Sequence, residues 1–371
     1  MTAFVESCVQ TLAGSAVAAE RHTRGRPRAR KLLAALAGKR NILVTTHIHP
    51  DPDALGSAVA LTHLLARRLI IPAGAPADDR PAVTLAVKGR IGGGINDTFL
   101  QTAHGALTAW DAVDPASFDA VVLLDTQPQF SFSPLPAGVL PTAVIDHHQG
   151  GGKKPRVPCW DVRPEVGATC SIVFSYFMEL EEPIPPDLAA GMLYAIESDL
   201  AGAAGTPGDL DNIALSSLTL TADPRQLYQM RFTPLPQAYY RAYSQALANA
   251  EFQGYAVISH LDSIDSMEQP AVMADFLLRF DQAQWALVTA TLSDRLVLSL
   301  RTRDAACGAA EVMQRILARI GEGGGHRTKA GGHIPFAGRP SLDIAALRRK
   351  VWRRFLLAVG IKPDRPTKLV G

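Results

Sequence analysis

The sequence predicts a two-domain α/β protein whose larger, N-terminal domain is a parallel sheet with helices on both faces. Short apolar runs at 120–124 and 142–145 have the length and β-branched content of strands buried in a parallel sheet. They alternate with segments whose apolar residues recur at helical spacing, as at 55–65. A smaller α/β domain with a mixed sheet is predicted from residue 253 onward.

Each predicted element follows from such a local pattern. In the first domain, strands are predicted at 41–46, 82–87, 120–124 and 142–145, and helices from 53, at 166–180 and at 188–196. In the second domain, strands are predicted at 255–259, 285–292 and 296–301, and helices at 272–280, 309–320 and 342–359. The predicted boundaries are an N-terminal arm (1–38), a first domain (39–222), a connector (223–252), a second domain (253–360) and a tail (361–371).

Composition limits the classes of function. The chain has 371 residues, of which 47% are hydrophobic and 19% charged, as expected of a folded globular protein with more than one core. A net charge of +2 gives no overall basic field for gripping a long duplex nucleic acid. The 4 cysteines form no C-x-x-C pair, so neither a zinc knuckle nor a disulfide framework is predicted.

No targeting or membrane segment is evident in the sequence. No uninterrupted apolar run reaches the roughly 20 residues that a membrane span needs. We therefore expect a cytoplasmic protein without a membrane partner. A basic run precedes the first domain and is interpreted as a solvated arm, with an arm that attracts RNA or phosphate as the alternative. Its residues are Arg21, Arg24, Arg26, Arg28, Arg30 and Lys31.

Acids and histidines follow the predicted strands of the first domain. The carboxyl ends of parallel strands meet at one edge of a sheet, where open α/β sheets bind ligands. Carboxylates and imidazoles suit Mn(II) or Mg(II), and two such ions are used for in-line displacement at phosphorus. For any one of these residues a helix cap would be the better interpretation, but their shared setting favours a metal site. The residues are His47, Asp51, Asp53, Asp125, Asp146, His147, His148 and, after the helix at 188–196, Asp199.

These residues resemble the motifs of the DHH phosphoesterase superfamily. The stretch His47-x-His-Pro-Asp51-x-Asp53-Ala-Leu-Gly-Ser is similar to its first motif, Asp125 to the second, Asp146-His147-His148 to the third and Asp199 to the fourth. The stretch Gly323-Gly324-Gly325-His326 with Ala330-Gly331-Gly332 resembles the glycine-rich motif of the DHH-associated C-terminal domain. The resemblance covers residues 40–340, and within the superfamily the chain is most similar to the NrnA-type oligoribonuclease and pAp phosphatase group.

The resemblance implies two divalent metal ions, Mn(II) in preference and Mg(II) as the alternative. His47, Asp51 and Asp125 would hold one ion. Asp53, Asp125, His147 and Asp199 would hold the other, with Asp125 bridging the pair. As catalytic residues, His148 would lie beside the scissile phosphate as a hydrogen-bond donor or acid, and Asp146 would orient a histidine.

Substrate contacts are expected from the second domain, with the active site in the cleft between the two domains. The glycine motif is predicted to form a loop that would bring backbone N–H groups of Gly324 and Gly325 to a phosphate. Charge-assisted donors could come from the residues that follow it and from a strand end, with an ordinary surface role as the alternative for Arg303. These residues are His326, Arg327, Lys329, Arg301 and Arg303.

The implied reaction is the hydrolysis of phosphodiester or phosphomonoester bonds by a metal-activated hydroxide. The expected partners are short single-stranded RNA or pAp-like nucleotides, and a homodimer is left open. The alternatives are a cyclic or linear dinucleotide phosphodiesterase and a catalytically inactive nucleotide-sensing module, which would lack ligands. Inorganic pyrophosphatase is disfavoured by the glycine motif.

The sequence departs from the family pattern in a few places, and these departures bear on the substrate rather than on the metal ligands. His49 and Pro52 stand where the first motif usually has Asn and Gly. The usual Thr is missing after Asp199, and Lys329 replaces an Ala of the glycine motif.

Overall fold

A computed structural model of the protein describes most of the chain. The described residues are 27–69, 81–89, 107–150, 155–200, 207–262, 264, 268–292, 294–304, 308–325, 327–336 and 343–370. They form two compact units, one ending at Thr233 and the other beginning at Pro234. This division falls inside the predicted connector. Three arginines of the basic arm, Arg21, Arg24 and Arg26, lie outside the described residues.

The first unit is built on a sheet of 6 strands that are all parallel. The strands are β1 (Asn41–Thr45), β2 (Ala82–Val87), β3 (Leu107–Ala109), β4 (Ala120–Leu124), β5 (Ala143–Asp146) and β6 (Cys159–Val162). Their order across the sheet is β3-β2-β1-β4-β5-β6. The strand order therefore reverses between β1 and β4, which is the position where open α/β sheets form a ligand-binding crevice at their carboxyl edge.

Within the described residues the α-helices of this unit pack on one face of the sheet, whereas the sequence predicted helices on both faces. They are α1 (Arg28–Leu36), α2 (Pro52–Arg68), α3 (Thr169–Leu180), α4 (Pro186–Leu200), α5 (Asp209–Thr221) and α6 (Pro224–Arg231). Successive side chains of a strand point to opposite faces, so Ile42 and Val44 of β1 join the core beneath these helices. Leu43 points to the other face, where the described part of the chain covers it with Trp110 and Leu135 from connecting segments rather than with an α-helix.

The second unit contains a mixed sheet of 7 strands in the order β11-β12-β10-β9-β8-β7-β13. These strands are β7 (Glu251–Gln253), β8 (Ala256–Leu261), β9 (Trp285–Leu292), β10 (Arg295–Thr302), β11 (Glu322–Gly325), β12 (Lys329–Pro335) and β13 (Thr367–Lys368). Strands β8 and β9 are parallel, and the other neighbours are antiparallel. The described helices are α7 (Gln237–Asn249), α8 (Gln269–Leu277), α9 (Ala309–Leu317) and α10 (Ile344–Ala358). The predicted α/β class with a parallel and a mixed sheet is confirmed.

The glycine motif is not the loop that the sequence suggested. Gly323 and Gly332 lie opposite each other in the antiparallel pair β11 and β12. A Cβ atom at Gly323 would lie 2.6 Å from Leu317 Cδ1, and one at Gly332 would lie 2.3 Å from the same methyl group. Glycine is needed here because helix α9 packs closely on the strands, a reason that local strand propensity does not reveal.

Two helix boundaries near the motifs differ from the prediction. The helix predicted from 166 begins at Thr169, after a turn in which Val166 N–H donates to Arg163 O at 3.1 Å. The helix predicted to end at 196 continues to Leu200, so Asp199 lies in its last turn rather than after it. No helix among the described residues combines the length and apolar content needed to cross a membrane.

Candidate metal centre

The first acidic loop is fixed by the helix that it starts. Asp51 is the N-cap of α2, and its Oδ1 accepts a hydrogen bond of 3.0 Å from Ala54 N–H. Pro52 occupies the first turn, where its missing N–H costs no helical hydrogen bond. Asp53 follows in the same turn, so the positive end of α2 lies beside both carboxylates.

Asp53 is also held by the start of a second helix. Its side chain is buried, and its two oxygens accept hydrogen bonds from the backbone N–H groups of Thr169 (2.7 Å) and Cys170 (2.9 Å). These are the first residues of α3, whose N–H groups have no partner within the helix. A carboxylate at this position is favoured by the helix dipole. Two helix N-termini therefore meet at Asp53.

Asp125 is placed directly after β4 by an unusual backbone conformation. Its φ is +55°, in the left-handed region that non-glycine residues rarely adopt. Its N–H donates to Ile145 O at 2.9 Å, which ties this turn to β5. Thr169 Oγ1 donates to Asp125 Oδ1 at 2.7 Å. The strained turn thus holds a buried carboxylate at the reversal point of the sheet.

The carboxylate of Asp125 lies between imidazoles on both sides. Its Oδ2 is 3.5 Å from His47 Nε2, and its Oδ1 is 3.5 Å from His147 Nε2. On the outer sides, His47 Nε2 is 3.9 Å from Asp51 Oδ1, and His147 Nε2 is 3.5 Å from Asp199 Oδ2. Asp125 is therefore shared by two groups of potential ligands.

The two imidazoles have the orientation of metal ligands. His47 Nδ1 is 3.0 Å from Ile48 O, and His147 Nδ1 is 3.3 Å from Val166 O. A backbone carbonyl at Nδ1 fixes the tautomer that carries its proton there and leaves Nε2 for coordination. In both residues Nε2 is the atom that faces the carboxylates.

These donor atoms fit divalent ions. Ligand atoms lie within 4.8 Å of one another in three groups: His47, Asp51 and Asp125; Asp53, His147 and Asp199; and Asp125, His147 and His148. Separations of 3.5 Å between Nε2 and carboxylate oxygen are long for a direct hydrogen bond. They match two ligands on one ion, which lie about 3–3.5 Å apart when each bond is about 2.1 Å long. The oxygen and nitrogen donors suit Mn(II) and Mg(II).

His148 is oriented by its own set of contacts. Its Nδ1 donates to Asp146 Oδ1 at 2.7 Å, and the other oxygen of Asp146 accepts from Gln127 Nε2 at 2.7 Å. Gln127 Nε2 also donates to His148 O at 3.0 Å, and both Asp146 and Gln127 are buried. Asp146 thus orients His148, while the Val166 carbonyl performs that role for His147.

The crowding of carboxylates shifts their proton affinities. Burial and the neighbouring charges of Asp125, Asp199 and Asp51 hold the pKa of Asp53 well above its ordinary value. Burial alone would raise the pKa of Asp125, but His47, His148 and His147 lower it further than burial raises it. Without a cation, the site therefore keeps protons among its acids and histidines.

The imidazoles respond in the opposite direction. Burial alone would lower the pKa of His47, but Asp125 and Asp51 outweigh it and hold this pKa well above its ordinary value. In the same way, Asp146 and Asp125 raise the pKa of His148 to about 9 against the effect of burial. His148 therefore carries a proton at neutral pH in the metal-free protein.

The residues predicted to contact substrate belong to the second unit, and their role stays a prediction. Arg301 Nε donates to Asp275 Oδ1 at 2.7 Å, and its Nη1 donates to Ser299 Oγ at 3.1 Å. Arg303 Nη1 lies 3.5 Å from Asp281 O. The remaining residues lie on or between the strands β11 and β12, except His326, which is outside the described residues. They are Gly324, Gly325, Arg327 and Lys329.

Thr169 and Gln127 complete the site, although neither was predicted from the sequence. Thr169 contacts Asp53 through its N–H and Asp125 through its hydroxyl. A threonine at a predicted helix start could have suggested an N-terminal anion contact, but not which carboxylate would fill it. Gln127, two residues after Asp125, offered no comparable signal.

Two phenylalanines in the segment after β4 border the imidazoles. The ring centroid of Phe132 is 6.1 Å from that of His47 and 6.2 Å from that of His148. Phe130 is 5.1 Å from Phe132 and 6.1 Å from His148. Phe132 is 37% exposed, so part of its ring is open beside the site.

Curated relatives match the chain over part of their length. An uncharacterized protein of Methanocaldococcus jannaschii is 28% identical over 88% of this chain and 66% of its own length. A probable manganese-dependent inorganic pyrophosphatase of Lactobacillus johnsonii is 33% identical over 47% of this chain and 53% of its own length. The chain thus spans between about half and two thirds of the length of these relatives.

Solved structures share the fold. An exopolyphosphatase-related protein from Bacteroides fragilis superposes with a TM-score of 0.68 and 17% identity, covering 90% of this chain and 98% of that one. RecJ in complex with Mn²⁺ from Thermus thermophilus has a TM-score of 0.53 and 15% identity, covering 92% of this chain and 55% of that one. At these identities the likeness establishes the fold.

The family comparison covers the strands and loops that carry most of the candidate ligands. The model described as "DHH family, N-terminal domain" matches residues 41–196, from β1 into α4. The match to the NrnA-type group and the DHH-associated assignment of the second unit stay predictions. The superfamily resemblance itself is confirmed over residues 41–196, which match the N-terminal domain of the DHH family.

Proposed function

We propose that the protein is a phosphoesterase that uses two divalent metal ions, Mn(II) in preference, to hydrolyse short oligoribonucleotides or pAp-like nucleotides. The observation that carries this proposal is the position of Asp125. Its Oδ2 faces His47 and its Oδ1 faces His147, each at 3.5 Å from Nε2. A carboxylate with a different imidazole at each oxygen is placed to bridge two ions.

The cations would activate water, and the side chains would hold the cations. When bound, two cations lower the pKa of a water molecule and offset the charge that develops on phosphoryl oxygens. His47, Asp51 and Asp125 would hold one of them, and Asp53, Asp125, His147 and Asp199 the other. The N–H groups of Thr169 and Cys170 fix Asp53, so one ligand set is tied to the rigid start of α3.

His148 would supply a proton to the substrate. Its Nδ1–H is engaged by Asp146 at 2.7 Å, which directs the other ring nitrogen away from that carboxylate. A pKa of about 9 in the metal-free site keeps this second nitrogen protonated at neutral pH. It could then donate to a phosphoryl oxygen or to the leaving group.

Phe130 and Phe132 favour a substrate that carries a base. Phe132 has an exposed ring beside His47 and His148, where a planar base could stack next to the phosphate. Inorganic pyrophosphate has no group for such a surface. The curated pyrophosphatase relatives nevertheless make cleavage of a P–O–P bond the second candidate activity, and a cyclic or linear dinucleotide remains a substrate alternative.

The Asp125→Asn variant should lose hydrolysis of every substrate of the wild type. The substrates to assay with Mn(II) are pAp, di- to pentaribonucleotides, a cyclic dinucleotide and pyrophosphate. Removal of an outer-shell partner of a metal site typically lowers activity about 10- to 100-fold. Loss of a ligand shared by both ions should lower kcat/KM by more than this. Asp111→Asn, at an exposed aspartate of the same unit, is the control and should keep wild-type kinetics.

Two results of this assay would overturn the proposal. One is the absence of hydrolysis of all of these compounds by the wild type, which would favour a nucleotide-sensing module. The other is wild-type activity in Asp125→Asn.

Mn(II) binding should strengthen as the pH rises. The pKa of His47 lies well above its ordinary value without metal, so a cation must displace its proton at neutral pH. Titration calorimetry between about pH 6 and 8 should show affinity rising with pH and levelling off above the pKa of His47. His47→Gln should make this dependence shallower, and His63→Gln, which alters a histidine outside the ligand groups, should not. A pH-independent affinity in the wild type would contradict the assigned role of His47.

The Phe132→Leu variant should separate base-containing substrates from inorganic ones. Leucine keeps apolar packing against the imidazoles but removes the flat ring. Stacking is worth about 1–3 kcal/mol per base, so KM for pAp should rise about 5- to 150-fold and KM for pyrophosphate much less. Tyr228→Leu, at an exposed aromatic residue of α6, is the control. Equal changes for both substrates would exclude base stacking at Phe132.

A further inference from the structure

Asp211 is a buried carboxylate that belongs to none of the sequence motifs. It lies in the first turn of α5, and its side chain is fully buried. Its Oδ2 accepts two hydrogen bonds from backbone N–H groups, one from Gly167 at 2.7 Å and one from Gly208 at 2.9 Å. A single oxygen thus joins the start of α5 to the turn that precedes α3.

That turn carries contacts to ligands of both ion positions. Val166 directly precedes Gly167, and its carbonyl oxygen lies 3.3 Å from His147 Nδ1. On the other side, Thr169 N–H donates to Asp53, and Thr169 Oγ1 donates to Asp125. Gly167, the residue that Asp211 holds, lies between these contacts.

The packing around this oxygen leaves little room for movement. A Cβ atom at Gly167 would lie 3.0 Å from Asp211 Oδ2 and 2.4 Å from Leu200 Cδ2. A Cβ atom at Gly208 would lie 2.9 Å from Glu165 O. Leu200 directly follows the predicted ligand Asp199 at the end of α4. The turn is therefore clamped between Asp211 and the end of the helix that carries Asp199.

We propose that Asp211 is a positioning residue for the metal centre, which it acts on through the turn of residues 166–170. Loss of its carboxylate would release Gly167 and let the contacts to His147, Asp53 and Asp125 drift together. The proposal rests on the proposed function in one respect, namely that this site binds divalent cations. It adds a residue that touches neither cation nor substrate.

If Asp211 only capped helix α5, its removal would have a different effect. An acid at this position of a helix often caps its own N-terminus, which the bond to Gly208 N–H does here. The bond to Gly167 is different, because it reaches a segment 44 residues away in the chain. A cap alone would lower the thermal midpoint when removed and leave the affinity for Mn(II) unchanged.

The test compares Asp211→Ala and Asp211→Asn with Asp209→Ala, an exposed acid in the same helical turn. Mn(II) affinity is measured on the full chain by electron paramagnetic resonance of the free ion, and folding by circular dichroism and thermal midpoint in chelator. Asp211→Ala should bind Mn(II) about 10- to 100-fold more weakly, as when an outer-shell partner of a metal site is lost. Asp211→Asn keeps an acceptor oxygen of the same reach and should fall between Asp211→Ala and the wild type, while Asp209→Ala should match the wild type.

Gly167→Ala provides a second route if Asp211→Ala does not fold. Its methyl group would push against Leu200 and Asp211 and displace the same turn without removing a charge. It should weaken Mn(II) binding in the same way. The positioning role would be overturned if Asp211→Ala folds and binds Mn(II) with wild-type affinity. If Asp211→Ala does not fold, it would be overturned if the two single variants Gly167→Ala and Asp211→Asn both bind Mn(II) with wild-type affinity. Failure of the wild type itself to bind Mn(II) would instead overturn the proposed function.

Discussion

The gathering of carboxylates at the carboxyl edge of the first sheet is the constraint on which the surrounding structure depends. Asp53 and Asp125 are buried, and the ligand atoms of each metal-ligand group lie within 4.8 Å of one another. Like charges this close raise each other's pKa and oppose folding unless they are compensated. Burial, together with the charges of Asp125, Asp199 and Asp51, raises the pKa of Asp53 in the absence of a cation.

These charges are compensated by the N–H groups at helix N-termini and by imidazole side chains. The N-termini of α2 and α3 have N–H groups without helical partners, and they are satisfied by Asp51 and Asp53. Imidazoles flank Asp125 on both sides and lower its pKa. A divalent cation would relieve the remaining repulsion, so the same arrangement of carboxylates also favours cation binding. Asp211 contributes indirectly, because it accepts a hydrogen bond from Gly167 in the turn that precedes the donors Thr169 and Cys170.

The sequence was sufficient for the features that depend on local pattern. The predicted bounds of strands 82–87, 120–124 and 285–292 are those of the structure, because each is a short run of mainly apolar and β-branched residues with clear ends. The candidate ligands were identified for a similar reason, because they directly follow such strands. Asp199 was the exception, since the helix around it continues for several residues beyond its apolar positions.

What could not be predicted depends on contacts between distant parts of the chain. Thr169 reaches Asp53 across 116 residues, and Asp211 reaches Gly167 across 44. Neither the apolar periodicity nor the motif spacing of the sequence predicts contacts between residues so far apart in the chain. The paired strands β11 and β12 differ from the predicted glycine loop, and Gly323 and Gly332 face the side chain of Leu317, which belongs to another element. Such positions become visible only when packing is known.

Anomalous diffraction from crystals grown with Mn(II), recorded at the manganese absorption edge, tests the two-metal centre most directly. Two peaks are expected about 3.5–4 Å apart, one on each side of the Asp125 carboxylate. One peak should lie against His47 and Asp51, and the other against Asp53, His147 and Asp199. A single peak, or two peaks that do not share Asp125, would contradict the two-metal centre.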